Sequence, residues 1–259
     1  MRSLARVTDS NTGSSAGTIL TSDGPMDAPG RVLVVVAHPD DIDFGSAGSI
    51  AALTAAGSYV AYCLVTSGDA GDDDMTRTTA ELAAEREGEQ TAAAAEVGVS
   101  VLHWLHYPDG QVENTLDLRR DISRVIRIEK PDVVITQSTE ANWDRIYGSH
   151  PDHLATAWAT MSAIYPDSRN PRAHTELLEE GHLPHKVEKA WIRAGKSNLH
   201  VDITDVMDAK IAALASHKSQ TGWMTDLPGM LRGWAADTAK AAGMDEGRLC
   251  ESYRVINTA

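Results

Sequence analysis

The chain has 259 residues, of which 42% are hydrophobic and 23% are charged, values typical of one large folded domain with a well-buried core. A formal net charge of −14, with no concentrated basic patch, argues against nucleic acid as a partner. The two cysteines cannot form a disulfide framework, and no stretch reaches the roughly 20 apolar residues of a membrane helix. We therefore expect a cytoplasmic protein without a membrane partner.

The N-terminal segment and the first half of the chain have different patterns. Residues 1–29 are rich in Ser, Thr, Gly and Asp, which predicts a flexible extension before one domain over residues 30–259. From residue 31, β-branched apolar runs alternate with helical patterns. Strands are predicted at 31–37, 59–68, 99–105 and 132–138, and helices at 45–57, 78–98 and 117–130. This alternation predicts an α/β fold with a mostly parallel, doubly wound sheet.

The second half of the chain has a less regular pattern. Strands are expected at 189–195 and 200–204, followed by a helix over 205–220. Either Thr204 or Asp205 is expected to cap that helix. We therefore predict a less regular C-terminal portion of the same domain.

Polar loops follow each of the first four predicted strands. The first three loops contain the sequences HPDD, TSGDAGDDD and YPDG, and the fourth loop follows VVITQS. Because right-handed crossovers bring the carboxyl ends of parallel strands to one edge, these loops should meet in space. Ligands of doubly wound sheets bind at that edge.

Two of these loops carry residues that bind transition metals. His38 and Asp41 lie just after the first strand, and GSHPDH places His150 and His153 on either side of Pro151. Because Pro151 suits the first position of a helix, Ser149 or His150 would cap it, and the two histidines would share its first turn. Two imidazoles and one carboxylate form a usual ligand set for a catalytic zinc ion. Ligand type alone also allows Fe²⁺, Co²⁺ or Ni²⁺.

The same clusters contain residues for acid–base chemistry. Asp40 is a spare acid that could serve as general base, and His150 could act as an acid or stabilise an oxyanion. The competing interpretation is that each histidine is a hydrogen-bonded structural residue near a strand end. The joint placement of both clusters at one sheet edge favours a metal-assisted hydrolase.

These residues also resemble a known family, the LmbE-like or PIG-L N-deacetylases. The segment AHPDDIDFGSAGSIA resembles the family signature, and similarity continues through ELAAEREGEQTAAAAEVGV, HPDHLATAWA and HKSQ to about residue 256. The resemblance implies a Rossmann-like domain. It also implies one zinc ion and removal of an N-acetyl or other N-acyl group from a small amino-sugar conjugate, by default an N-acetylglucosaminyl compound.

The resemblance also implies a role for individual residues. His38, Asp41 and His153 match the metal ligands, Asp40 matches the general base, and His150 matches the histidine at the oxyanion. The resemblance implies roles for three further residues. Asp152 would orient His150, Arg86 would contact the sugar, and Tyr147 would help hold the oxyanion. Many members have Glu immediately after the paired aspartates, whereas Ile42 stands there and the acid follows as Asp43, a candidate sugar contact. Other loop acids that could bond sugar hydroxyls are Asp69, Asp72 to Asp74, Asp109 and Asp144.

Other functions remain open at this point. The first loop lacks the G-x-G-x-x-G pattern and has acids where phosphate would bind, which argues against a dinucleotide-binding protein. The alternatives are an amidase acting on a thiol-sugar conjugate with the same site and a non-catalytic sugar-binding member of the fold. The residues do not identify the sugar conjugate or the oligomeric state.

Overall fold

The computed structural model of the chain describes residues 16–193 and 195–258. The strands are β1 (Thr18–Thr21), β2 (Gly24–Asp27), β3 (Arg31–Val36), β4 (Tyr59–Thr66), β5 (Val101–Tyr107), β6 (Val133–Thr136), β7 (Lys189–Ile192), β8 (Leu199–Asp202) and β9 (Cys250–Asn257). The helices are α1 (Asp41–Gly45), α2 (Ala47–Ala55), α3 (Thr79–Glu96), α4 (Leu116–Glu129), α5 (Pro151–Ser162), α6 (Glu176–Glu179), α7 (Met207–Ala215), α8 (Lys218–Thr221) and α9 (Leu227–Ala241). Turns of 3-10 helix cover Trp143–Ser149 and Thr204–Val206, and a π-helical turn covers Ala163–Asp167.

The strands form one mixed sheet in the order β2-β1-β8-β9-β7-β6-β3-β4-β5. The half from β7 to β5 is parallel, in the strand order of a Rossmann fold. The other half is antiparallel, because β9 returns beside β7 and pairs with β8, which pairs with the β1–β2 hairpin. The predicted α/β class is confirmed, but parallel pairing covers only about half of this sheet. The signal of the antiparallel strands was weak because they are short or lie outside the βα alternation.

The sheet is buried on both faces, as its β-branched strands predict. Along β3, Val32, Val34 and Val36 pack on one face with α2, α3, α7 and α9. Leu33 and Val35 point to the other face and pack with α4 and α5. This alternation produces a three-layer α/β/α domain, with the sheet in the middle and its strand-end loops free to build a site.

Side-chain caps define where several helices begin. Helix α3 starts with a capping box, in which the Thr78 hydroxyl accepts from the Glu81 amide and the Glu81 carboxylate accepts from the Thr78 amide. The Thr204 or Asp205 cap predicted for the later helix is wrong. A 3-10 turn precedes α7, and the Asp202 carboxylate accepts from the Thr204 amide at 2.9 Å.

Part of the N-terminal segment belongs to the sheet. Residues 18–27 form the β1–β2 hairpin, and Thr21 lies in register with Val201 of β8. The flexible extension predicted for residues 1–29 is therefore incorrect for this part, and residues 1–15 lie outside the described residues. These strands gave little sequence signal because apolar–polar alternation is hard to recognise over four residues.

Two helical glycines lie in contrasting environments and support a matched stability prediction. A Cβ atom on Gly48 of α2 would lie 2.8 Å from Ile203 Cδ1, whereas a Cβ on Gly88 of α3 would meet nothing within 4 Å. We expect Gly48→Ala to lower the free energy of unfolding by about 1–3 kcal/mol through overpacking. Gly88→Ala should raise it by about 0.5–1 kcal/mol, because Ala loses less backbone entropy than Gly. Urea denaturation of both variants checks this, and equal effects would contradict the packing of α2 on Ile203.

Two further predictions from the sequence concern the burial of Cys63 and membrane-spanning helices. Cys63 is fully buried in β4, as predicted. Among the helices of the described residues, none has the length and apolar character needed to cross a membrane.

Candidate active site

The candidate site lies where the strand order reverses between β3 and β6. These strands are neighbours in the sheet, but the connections after them lead to opposite faces. Such a reversal opens a crevice at the carboxyl ends of the strands, where ligands of doubly wound sheets bind. The loop after β3 carries residues 38–40, and the loop after β6 leads to His150.

The loop after β3 turns sharply into α1. Asp40 has a φ of 82°, in the left-handed region that non-glycine residues seldom adopt. The Asp41 carboxylate accepts from the His38 amide at 2.8 Å, which closes the turn. This geometry directs the side chains of His38 and Asp41 toward the same point.

The start of α5 supplies the second pair of histidines. His150 is the N-cap residue, as predicted, and its Nδ1 accepts from the Asp152 amide at 3.2 Å. Pro151 occupies the first turn, which places His150 and His153 on adjacent positions of one helix face. Their ring centroids are 5.4 Å apart.

The predicted metal ligands are brought together by these two elements. His38 Nδ1 lies 3.2 Å from His153 Nε2 and 3.3 Å from Asp41 Oδ2, and His153 Nε2 lies 3.0 Å from Asp41 Oδ1. A tetrahedral zinc ion with ligands at ~2.0–2.1 Å requires about 3.3 Å between ligand atoms. The spacing of the nearest ligand atoms is therefore close to what such an ion requires, with His38 and His153 approaching different oxygens of Asp41.

The far side of the His38 ring contacts two more carboxylates. His38 Nε2 lies 3.0 Å from Asp109 Oδ1 and 3.2 Å from Asp152 Oδ2. Burial lowers the pKa of His38, but hydrogen bonds with Asp109, Asp152 and Asp41 outweigh burial and raise it to about 12. The cluster therefore favours a positive charge at this position. Carboxylates on the distal nitrogen are also the usual partners of a histidine that ligates a metal.

Asp40 lies beside this cluster and has a perturbed acidity. Burial, and after it the charge of Asp41, raises the pKa of Asp40 to about 7, although the Arg86 guanidinium opposes the shift. Arg86 Nη2 donates to Asp40 Oδ2 at 3.2 Å. A carboxylate with a pKa near neutrality is suited to accept and return a proton.

His150 is the most accessible of the three site histidines, with a side chain 42% exposed. Because its Nδ1 accepts from the Asp152 amide, the neutral ring carries its proton on Nε2. Burial, followed by the charge on His38, lowers the pKa of His150, which favours this neutral form. His150 can therefore donate a hydrogen bond from Nε2 to a ligand without being protonated.

The predicted role of Asp152 needs correction. Its carboxylate lies 4.0 Å from His150 Nδ1, too far for a hydrogen bond. It instead contacts His38 and accepts from the backbone amides of Gly110 and Val112 at 2.7 and 3.3 Å. The Asp152 backbone orients His150, while the Asp152 side chain orients His38.

Two of the predicted sugar contacts are buried. Asp43 is fully buried and accepts from Gln90 Nε2 and His217 Nε2, each at 2.8 Å, so a sugar cannot reach it. Arg86 is 4% exposed, and its guanidinium donates to the Gly68 and Pro39 carbonyls as well as to Asp40. The structure thus places Arg86 beneath the general-base candidate rather than at the surface. Asp43 lies in α1 and Arg86 in α3. The sequence pattern of a helix does not show which of its faces other parts of the chain cover.

Tyr147 differs from these two residues. It lies in the 3-10 turn that leads to His150, and it is 90% exposed. The contact between Tyr147 and the oxyanion therefore stays a prediction.

Sequence reasoning missed two residues of the site. Asp109 was only one of several loop acids, yet it contacts His38 and is tied to the neighbouring loop, because its amide donates to Asp69. Gln90 was not singled out, although its Oε1 accepts from the Asp40 amide at 2.8 Å. Its spacing of four residues from Arg86 on α3 is the one signal that linked it to this site.

Comparisons with known proteins indicate the family of this chain. The family model described as PIG-L, GlcNAc-PI de-N-acetylase, matches residues 33–164. A diacetylchitobiose deacetylase of Thermococcus kodakarensis is 33% identical over 197 residues, covering 76% of this chain and 72% of that protein. A 1D-myo-inositol 2-acetamido-2-deoxy-alpha-D-glucopyranoside deacetylase 2 of Saccharopolyspora erythraea is 30% identical over 232 residues, covering 73% of this chain and 82% of that protein.

A solved structure extends the similarity to the fold. The N,N'-diacetylchitobiose deacetylase from Pyrococcus horikoshii, complexed with its inhibitor MPG, superposes with a TM-score of 0.80 at 29% identity. The match covers 89% of this chain and 85% of that one. The family model spans the first strand-end loop and the helix that begins after His150, so both site elements lie within it. The chain therefore belongs to the PIG-L family of LmbE-like proteins, as its sequence motifs indicate.

Proposed function

We propose that this protein is a zinc-dependent N-deacetylase of small N-acetylglucosaminyl conjugates. The observation that carries the proposal is the convergence of His38, Asp41 and His153 within 3.0–3.3 Å of one another, beside the carboxylate of Asp40. Two imidazoles and a carboxylate leave coordination positions for water and substrate. The donor set also accommodates Fe²⁺.

Two other groups of ligand atoms share His38, and they suit a metal less well. The first adds His150 and His153, and its ligand atoms lie within 4.8 Å of one another. In that group His150 could offer an ion only Nε2, because its Nδ1 accepts the Asp152 amide hydrogen. The second adds Asp109 and Asp152, but it offers one imidazole, and both Asp152 oxygens accept backbone amides. The set with Asp41 is therefore the proposed metal site.

Amide hydrolysis at this site would use Asp40 for the proton transfers and His150 to stabilise the developing oxyanion. A zinc ion held by the proposed ligands would polarise the amide carbonyl and lower the pKa of water from 15.7 toward ~7. Asp40 accepts a proton from the attacking water and delivers it to the leaving nitrogen. His150 donates its Nε2–H to the carbonyl oxygen as negative charge develops there. The products are acetate and a free amino sugar.

The proposed substrate class comes from the relatives, whose names specify N-acetylglucosaminyl compounds linked to a second sugar, to malate or to inositol. An amide on a thiol-sugar conjugate would fit the same residues. A non-catalytic sugar-binding role is less well supported, because Asp40 and His150 both lie beside the proposed ligands.

The test is release of acetate from a panel of diacetylchitobiose, N-acetylglucosaminyl malate and N-acetylglucosaminyl inositol. We expect one panel member to yield acetate and free amine in equal amounts, and only with the zinc-loaded protein. A protein that binds one zinc ion but releases acetate from none of the three would contradict the proposed substrate class. A protein that binds no zinc would overturn the site itself.

A further inference from the structure

A fully buried hydrogen-bond chain lies behind the general-base candidate. Gln90 Oε1 accepts from the Asp40 amide, and Gln90 Nε2 donates to Asp43 Oδ2, each at 2.8 Å. The same Asp43 oxygen accepts from His217 Nε2 at 2.8 Å. Gln90, Asp43 and His217 are each 0% exposed. The chain thus joins α3 and the start of α8 to the loop that carries Asp40.

This chain determines which way the Gln90 amide faces. A carboxylate offers only acceptors, so the amide group that faces Asp43 must be the NH₂ end. The carbonyl end then faces the Asp40 N–H, which needs an acceptor. If the amide were reversed, two acceptors would face each other at Asp43 and two donors at Asp40. Asp43 and His217 therefore act on Asp40 through the orientation of Gln90.

The backbone of Asp40 requires such support. Its φ of 82° is disfavoured for any residue with a Cβ atom. Arg86 bonds the Asp40 carboxylate and also the carbonyl of Pro39, which belongs to the same planar peptide unit as the Asp40 amide. Among the described side chains, Gln90 bonds that amide. Strained backbone persists only where its surroundings over-determine it.

We propose that Gln90 is a positioning residue, which holds the Asp40 backbone in its left-handed conformation and so aims the Asp40 carboxylate at the reacting water. The role of Asp43 and His217 is to keep the Gln90 amide in the required orientation. This inference rests on the proposed function for the identity of the base. The conformational part, however, concerns the free protein and can be measured without substrate.

The first test measures hydrogen exchange of the Asp40 amide in Gln90→Leu. Exchange is monitored by NMR or by mass spectrometry of a peptide from the 37–44 region. Leu fills similar volume without an acceptor, so we expect the Asp40 amide to exchange much faster than in the parent protein. With the zinc-loaded enzyme, kcat should fall by about 10- to 100-fold with little change in KM, as a misaimed catalytic group costs this much.

Two further variants separate positioning from general destabilisation. Val97→Ala removes a buried side chain at the end of the same helix without touching the chain of hydrogen bonds. It should lower Tm but leave both Asp40 exchange and kcat unchanged. Asp43→Ala leaves Gln90 in place but removes the acceptor that fixes its amide, so Asp40 exchange and kcat should shift in the direction of Gln90→Leu. This variant also tests the positioning role if Gln90→Leu does not fold.

The outcomes are distinct. Unchanged Asp40 exchange in both Gln90→Leu and Asp43→Ala would overturn the positioning role, whatever the activity. Faster exchange with kcat equal to that of the parent would show that Asp40 need not be held, and would also overturn it. If the parent protein releases no acetate from any substrate, the proposed function fails while the exchange result still decides the conformational role of Gln90.

Discussion

Replacing Asp40 with Asn is expected to lower turnover by about 10²- to 10⁴-fold, the usual contribution of a general base. Asn has nearly the same shape but cannot accept a proton from the attacking water. The fold should survive, because Asn tolerates a positive φ and because the Gln90 bond is made to the backbone amide. The measurement is acetate release together with zinc content per chain, which should stay at the parent value.

A matched control distinguishes this loss from a general effect of charge. Asp27 of β2 is an exposed aspartate in the hairpin at the sheet edge formed by β2, and Asp27→Asn changes the net charge equally. It should leave turnover unchanged. If Asp40→Asn retained full activity with zinc bound, another group would have to accept the proton, and the proposed mechanism would be wrong.

Stripping the metal is expected to abolish turnover and to reduce stability without unfolding the domain. The His38, Asp41 and His153 cluster packs against a sheet that is buried independently of the site, so the fold should persist in the stripped protein. Zinc should restore activity at one ion per chain. At about 100 times its Kd, free zinc should raise the free energy of unfolding by about 2.7 kcal/mol, because it binds the folded state alone.

Variants of single histidines test which residues hold the ion. His38→Ala should abolish both zinc binding at micromolar concentration and zinc-dependent stabilisation, since it removes the residue shared by every candidate group. His200→Ala is the control, because His200 lies on β8 and bonds Ser252 away from the site. It should bind one zinc ion as the parent does. Equal zinc content in His38→Ala and the parent would place the metal elsewhere.

The sequence predicted the arrangement of the proposed metal site because its signals are local. A strand end followed by His38 and Asp41, and a helix start that contains His150 and His153, obey short-range rules of strand and helix geometry. The rule that parallel strands share an edge then brought the two clusters together. The distances of 3.0–3.3 Å among the ligand atoms confirm that these clusters meet.

The predictions that failed depend on contacts between distant parts of the chain. Asp43 and Arg86 are charged residues in polar segments, which favours exposure, yet buried partners from α3, α8 and neighbouring loops surround them. The Asp152 carboxylate bonds His38 rather than its neighbour His150, because the turn of α5 points it toward β3. No local pattern specifies such partners.

The sequence by itself determined the βα alternation, the buried parallel strands and the residue types of the candidate active site, because periodicity and capping act within one element. Only the tertiary structure decided that half of the sheet is antiparallel and that Asp109 joins His38. It also decided that Gln90 supports the strained Asp40. Several of these features join residues 50 or more apart in the chain, such as Asp40 and Gln90 or His38 and Asp109. A hydrogen-bond partner at that distance is selected by packing rather than by local propensity.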